Sequence, residues 1–157
     1  MTRRYGRAPR GSRAYGSAPV NYGKNLTIIA ALGVDGLSAP MTIEGATDGA
    51  VFTAYVQQVL APTLRPGEIV IMDNLGAHKV EGIRQAIEAC GAQVLYLPPY
   101  SPDMNPIEQC WSKIKTALRS IAARSSQALD EAITQVIATI RPADVRGWFK
   151  HCGYPIH

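Results

Sequence analysis

The sequence lacks long apolar runs: none approaches the ~18–20 residues that a membrane-spanning helix requires. Its N-terminus is basic with no apolar stretch behind it, a pattern that does not fit a secretory signal. Cysteine is scarce. Cys90, Cys110 and Cys152 are odd in number, widely spaced and without a CxxC pair, so neither a disulfide framework nor a zinc knuckle is indicated. Reduced thiols in a cytosolic protein are the expectation. There are no internal repeats, and there is no GxSxG nucleophile elbow. Acidic residues are missing from the first 24 positions, which carry Arg3, Arg4, Arg7, Arg10, Arg13 and Lys24. The remaining ten basic residues nearly balance the twelve acidic ones, so the net charge of +4 sits on this arm. With Tyr5, Tyr15 and Tyr22 among its arginines, the arm suits a nucleic-acid backbone; a solubilising tail has the same composition.

What remains is a globular body. Apolar residues make up 46% of 157, enough for one domain with a hydrophobic core. Residues 25–36 (NLTIIAALGVDG) read as a strand ending in a hairpin turn, with 39–44 as the return strand. Asp48 is placed to cap a helix over 51–60. EIVIMDN (68–74) reads as a strand covered on both faces, 79–90 as a helix closed by Gly91, and 92–98 as the next strand. A strand, a helix and a strand in that order predict a right-handed crossover with parallel strands. Helices are expected from 106 to about 123, from 126 to 140 with Ser126 at its N-cap, and from Pro142 through Trp148 and Phe149. The sum is an α/β domain, with antiparallel strands at one side of a sheet, and the functional groups expected at the carboxyl ends of its parallel strands.

Two carboxylates stand at such places. Asp73 ends its strand and shares a face with Ile69 and Ile71 by the period of two. It serves equally as an Asx-turn residue. Glu108 follows a stiff stretch, PPYSPDMNP, whose Pro98, Pro99, Pro102 and Pro106 restrict the backbone on its way into a helix. Asn105, Pro106 and Glu108 also have capping-box spacing, which needs no catalysis. On that helix Ile107, Trp111, Ile114, Leu118 and Ile121 form the expected buried stripe, and Glu108 lies beside it in line with Ser112, Lys115 and Arg119. Carboxylates brought together at a sheet edge can share hard divalent cations, and Mg²⁺ pairs held this way drive phosphodiester chemistry; a solvated i, i+4 network gives the same helix pattern. His78, five residues after Asp73, suits either a role beside that carboxylate or packing at a helix start. Asp73 with His78 also admits a small α/β hydrolase or phosphatase reading.

MDNLGAH (72–78) followed by PPYSPDMNPIEQCWSKIK (98–115) resembles the catalytic core of DDE transposases, and most closely the bacterial insertion-sequence transposases of the mariner superfamily. Thirty-four residues separate Asp73 from Glu108, as in that group, and TRRYGRAPRGSR, NLTIIAAL and FKHCGY also match it. The resemblance implies an RNase H-like mixed sheet flanked by helices over 25–157, with 1–24 as a basic arm. It implies Asp73 and Glu108 as the second and third catalytic carboxylates and ligands of Mg²⁺ or Mn²⁺, two ions in an intact site. Asn74, His78 and Asn105 would support the metal site or a phosphate. Arg3, Arg4, Arg7, Arg10, Arg13, Lys24, Lys115 and Arg119 would contact DNA. The implied activity is DNA strand cleavage and transfer on transposon ends and target, by a homodimer, in the bacterial cytoplasm at the nucleoid. The family's first aspartate lies on a strand upstream of the arm. That strand has no counterpart here, and Asp35 in a turn and Asp48 at a helix start do not replace it. The sheet is therefore expected to lack its first strand, and the chain to read as the distal part of a transposase, N-terminally truncated and without the helix-turn-helix region. A non-catalytic DNA-binding or interaction remnant is the other reading.

Overall fold

The computed structural model describes residues 6–16 and 25–156. Arg3, Arg4 and Lys24 of the basic arm lie outside them. Strands β1 (Leu26–Gly33) and β2 (Gly36–Glu44) form an antiparallel hairpin around Val34 and Asp35, starting three residues earlier on the return side than expected. The register shifts between Ile29 and Ala31, opposite Ala39 and Pro40. Pro40 has no N–H to offer the ladder, and Ala39 takes a φ of 50°, so the extra residue is absorbed there. Alternate side chains of β1 serve two cores. Leu26, Ile28 and Leu32 pack against one cluster, Ile29 and Ala31 against the other.

The first core is built by α1 (Gly49–Tyr55), β3 (Ile69–Met72), α2 (Ile83–Glu88) and β4 (Gln93–Tyr96). Asp48 caps α1 as expected, accepting from the Val51 N–H at 2.8 Å. The helical path then widens into a π turn at Val56–Leu60 and tightens into a 3₁₀ turn at Ala61–Thr63, where Pro62 cannot continue the ladder. Phe52, Tyr55, Val56 and Leu60 from this path bury themselves against Met72, Ile83, Ile87 and Ala92. Each such aliphatic side chain contributes about 1.5–3 kcal/mol on leaving water.

β3 and β4 are parallel, in the register Ile69↔Gln93 to Met72↔Tyr96, as the crossover predicts. The helix between them is shorter than the expected 79–90. Gly76–Lys79 forms a 3₁₀ turn instead, Val80 is extended, and Gly82 takes a φ of 96° that interrupts any helix before Ile83. Gly91, at φ 75°, closes it as expected. The β3 strand differs from its expectation in one respect that matters later. Val70 and Met72 pack into the core, but Ile69 is 59% exposed, Ile71 joins neither core, and Leu95, the partner of Ile71 on β4, is 51% exposed. Only one face of the parallel pair is covered among the described residues, so Asp73 shares the open face, not the buried one.

The second core belongs to α3 (Pro106–Ile121), α4 (Ser126–Ile137) and α5 (Pro142–His151). Ser125, not Ser126, caps α4, its Oγ accepting from the Ala128 N–H at 3.1 Å. The buried line of α3 runs through Pro106, Cys110, Ile114 and Leu118. Ile107 and Trp111 lie half-buried at its margin, and Ile121 is 47% exposed. The stripe is rotated from the expected one because small Cys110 lets α4 approach along the i, i+4 line, while Ile121 stands at the very end, where Ala122 turns the chain away with a φ of 54°.

The two hydrogen-bonded ladders, β1–β2 and β3–β4, are separate: no described strand joins them into the single mixed sheet expected from the sequence. The physical reason is plain in the connectivity. Among the described residues, no extended segment lies against the free edge of either pair.

Candidate active site

Between these ladders runs a cleft of about 730 Å³. Asp73, His78, Asn105 and Glu108 all line it. Two carboxylates separated by thirty-four intervening residues thus share one cavity, one delivered by the end of β3 and the other by the first turn of α3.

Asp73 is held by its own neighbourhood. Its Oδ1 accepts from the Leu75 N–H at 3.1 Å, the Asx turn that the dipeptide allowed. The same oxygen lies 2.6 Å from His78 Nδ1. His78 Nδ1 is buried and makes no hydrogen bond of good geometry among the described residues. The His78 ring packs on Phe52, with centroids 4.2 Å apart, and its carbonyl accepts from the Tyr96 hydroxyl at 2.9 Å. The structural and the functional roles expected of Asp73 and His78 therefore coexist. Asn74 Oδ1 is buried with no hydrogen-bond partner among the described residues.

Glu108 is held differently. Asn105 occupies the N-cap position, yet its side chain makes no capping bond; the Glu108 N–H reaches only the Asn105 carbonyl, at 3.1 Å. The capping box that would have explained both residues structurally is not formed. Glu108 is exposed, and so are Ser112, Lys115 and Arg119 in line with it. Arg7, Arg10 and Arg13 of the described arm are exposed as well.

Several features are not evident from sequence reasoning. Phe52, the ring behind His78, lies within the helix expected over 51–60, whose apolar period says nothing of His78. Tyr96 is flanked by Lys79 and Arg84, 6.0 and 5.6 Å from its ring centre; a tyrosine ending a strand beside basic helix-start residues is the signal that could have found them. The C-terminal segment braces the proline-rich loop: the Tyr154 hydroxyl donates to the Met104 carbonyl at 2.9 Å, and Gln109 Nε2 lies 3.6 Å from Cys152 Sγ. Lys113 on α3 is paired with Asp144 on α5 at 2.6 Å. That hydrogen bond, with a second from the Arg141 N–H, holds the Asp144 carboxyl below its ordinary pKa.

The donor chemistry fits a hard divalent cation in kind, since the carboxylates of Asp73 and Glu108 line one cleft. It is incomplete in number. No group of three His, Cys, Asp or Glu side chains converges among the described residues. Asp73 touches His78 and the Leu75 amide, and the His78 ring packs on Phe52, so among the described residues no serine or cysteine nucleophile completes a hydrolase triad there.

A helix-flanked α/β core with carboxylates at the carboxyl end of a parallel pair has the fold of transposase catalytic domains, which is RNase H-like. The chain resembles the crystal structure of the mariner Mos1 paired-end complex with Mg at a TM-score of 0.73, with 16% identity over 97% of this chain and 49% of that one. It resembles the Mos1 strand transfer complex at 0.68, with 16% identity over 100% of this chain and 51% of that one. The chain thus spans about half the length of these structures. None of the curated proteins matches it in sequence. The DDE superfamily endonuclease model matches residues 1–130, and the chain belongs to that family. No helix among the described residues is long and apolar enough to cross a membrane.

Proposed function

We propose that this chain is the distal part of a transposase catalytic domain, built for metal-dependent DNA strand cleavage and strand transfer in the movement of a bacterial insertion sequence. The observation that carries the reading is the convergence of Asp73 and Glu108 on one cleft, with no capping box to account for Glu108. Asp73 and Glu108 would hold Mg²⁺ or Mn²⁺, whose chemistry there is to stabilise the attacking and leaving oxygens of an in-line displacement at phosphorus. His78 and the Leu75 amide fix one oxygen of Asp73 and leave Oδ2 to a ligand. Asn74 and Asn105 lie close enough in sequence to the two carboxylates to support them or a phosphate. Lys115 and Arg119, in line with Glu108, and the arm with Arg3, Arg4, Arg7, Arg10, Arg13 and Lys24 would hold the DNA backbone, positioning it without reading bases. Transposon ends and target DNA are the substrates, a homodimer the working unit, and the nucleoid its place of action. The body from residue 25 onward acts as the catalytic unit, the first 24 residues as its DNA-holding arm.

A second reading keeps the DNA contacts and drops the chemistry. It is favoured by the absence, among the described residues, of any group of three His, Cys, Asp or Glu side chains close enough to hold a metal ion. A nicking assay on supercoiled DNA with Mg²⁺ and with Mn²⁺ separates the two. Cleavage that disappears in Asp73→Asn and in Glu108→Gln, with DNA binding retained, supports the catalytic reading. No nicking, with binding that weakens steeply as salt rises, supports the second.

A further inference from the structure

The break in the helical path before α2 brings two cations onto one ring. Lys79 ends a 3₁₀ turn, Val80 is extended, and Gly82 takes a φ of 96°, so α2 starts only at Ile83. On an uninterrupted helix Lys79 and Arg84 would point about 140° apart and could not meet. With the break, Lys79 Nζ lies 6.0 Å and the Arg84 guanidinium carbon 5.6 Å from the centre of the Tyr96 ring. These three side chains, with Val80, Gly82 and Gln85, line a hollow of about 370 Å³, and Glu81 is the acidic residue on its wall.

The hollow is separate from the cleft but tied to it. Tyr96 ends β4 opposite Met72, the residue before Asp73. Its hydroxyl donates to the His78 carbonyl at 2.9 Å, and His78 Nδ1 lies 2.6 Å from Asp73 Oδ1. The two cations therefore meet at the carboxyl end of the parallel pair, where Asp73 also stands. Their charges are available. Both side chains are exposed, and Lys79 makes no ion pair among the described residues. Arg84 pairs only with Glu88, 3.3 Å away and one helical turn on, with both side chains about half exposed. Such a solvated i, i+4 pair is weak and gives way to a stronger anion. The ring face attracts both cations without neutralising either. Two un-neutralised cations gathered on one ring fit a phosphate, whose oxygens accept several charge-assisted hydrogen bonds.

We infer that Lys79 and Arg84 form a clamp for the phosphodiester backbone of DNA on the Asp73 side of the cleft. The inference rests on the DNA-handling reading and adds to it. Lys115 and Arg119 continue from Glu108 along α3; the clamp supplies the matching hold beyond Asp73. A strand crossing the cleft is thereby gripped on both sides of the two carboxylates. The clamp positions the backbone and reads no bases. On binding, Arg84 exchanges the Glu88 carboxylate for a phosphate oxygen.

The test is the salt dependence of DNA binding by the full 157-residue chain. The probe is a fluorescent duplex of about 20 base pairs, read by anisotropy across a salt series, in which each phosphate contact adds about 0.9 to the slope of log affinity on log salt. Lys79→Ala and Arg84→Ala should each lower that slope by about 1, and the double variant by about 2, with affinity falling alike for unrelated sequences. Lys79→Arg should keep the original slope. Arg146→Ala removes the same charge from the exposed surface of α5 and should leave the slope unchanged. Both clamp positions are exposed, so the variants should keep the parent's circular dichroism. An unchanged slope in the double variant overturns the clamp and leaves the DNA reading standing. Equal loss with Arg146→Ala overturns it too, assigning the effect to overall charge. Failure of the unaltered chain to bind the duplex overturns both readings. The Tyr96 ring resonances separate a strand from a free anion. The duplex should shift them, and inorganic phosphate at the same phosphate concentration should not; equal shifts overturn the inference.

Discussion

Asp73 and Glu108 border the same cleft, yet they reach it by opposite means. Asp73 sits in a network of side-chain contacts. Its Oδ1 touches the Leu75 amide and His78, His78 rests on Phe52, and the His78 carbonyl is tied to Tyr96. Glu108 has no side-chain cap and stands exposed; its place is set by the backbone, through Pro106 at the helix start and a proline-rich loop braced from outside by Tyr154. One carboxylate is positioned by packing, the other by chain stiffness and by the helix that carries it. A network restricts the group itself. A stiff backbone leaves its side chain free to adjust to whatever arrives.

The comparison breaks most visibly at Phe52. Removing this ring in Phe52→Ala should cost about 3–5 kcal/mol, because a buried aromatic leaves a cavity in the first core. Urea denaturation measures it. Amide exchange should show the loss concentrated around 72–79 while the buried line of α3 stays protected; equal loosening of both regions would mean that the two carboxylates share one support. Tyr154→Phe removes a single hydrogen bond to Met104 and should cost about 0.5–1.5 kcal/mol. Its mark should be faster exchange across the loop before Asn105, with no change near Asp73.

The tie between α3 and α5 gives a smaller, pH-dependent effect. The folded state holds Asp144 below the ordinary carboxylate pKa, so its contribution is complete above that range and is lost as pH falls through the lowered folded value. Melting temperatures of the protein and of Asp144→Asn should therefore differ at neutral pH and converge in acid. A difference independent of pH would assign the effect to something other than the Lys113 pair. Smallest of all, Glu108→Gln should change stability by no more than about 0.5 kcal/mol, since the carboxylate supports no cap. A clear destabilisation by chemical denaturation would show that Glu108 has a structural role after all.

Much of this arrangement was legible in the sequence, for local reasons. Asp48 as a cap, Gly91 as a helix stop, Pro142 at a helix start and the parallel order of β3 and β4 follow from the chemistry of single residues or from the handedness of crossovers. The rotated stripe of α3 was less accessible. Cys110 takes the central position only because α4 packs against that line, and Ile121 loses its place because Ala122 turns away. The truncation of α2 was hidden for a similar reason: an apolar period runs through 79–82, but Gly82 adopts a left-handed conformation that only the surrounding fold imposes. Asn105 had the right residue type and spacing for a capping box, and the structure does not use it.

By itself the sequence determined where the chain turns, which segments are helix or strand, and that Asp73 and Glu108 end up at the start or end of such segments. Those outcomes depend on proline, glycine, capping side chains and apolar period, all of which act over a few residues. Only the tertiary structure decided that the two carboxylates border one cleft, and that, among the described residues, Asp73 lies on the open face of its strand and β1 and β3 each pair on one edge only. Pairing and burial are relations between distant segments, and a strand whose apolar run looks double-faced becomes single-faced when no described residue packs on its other side.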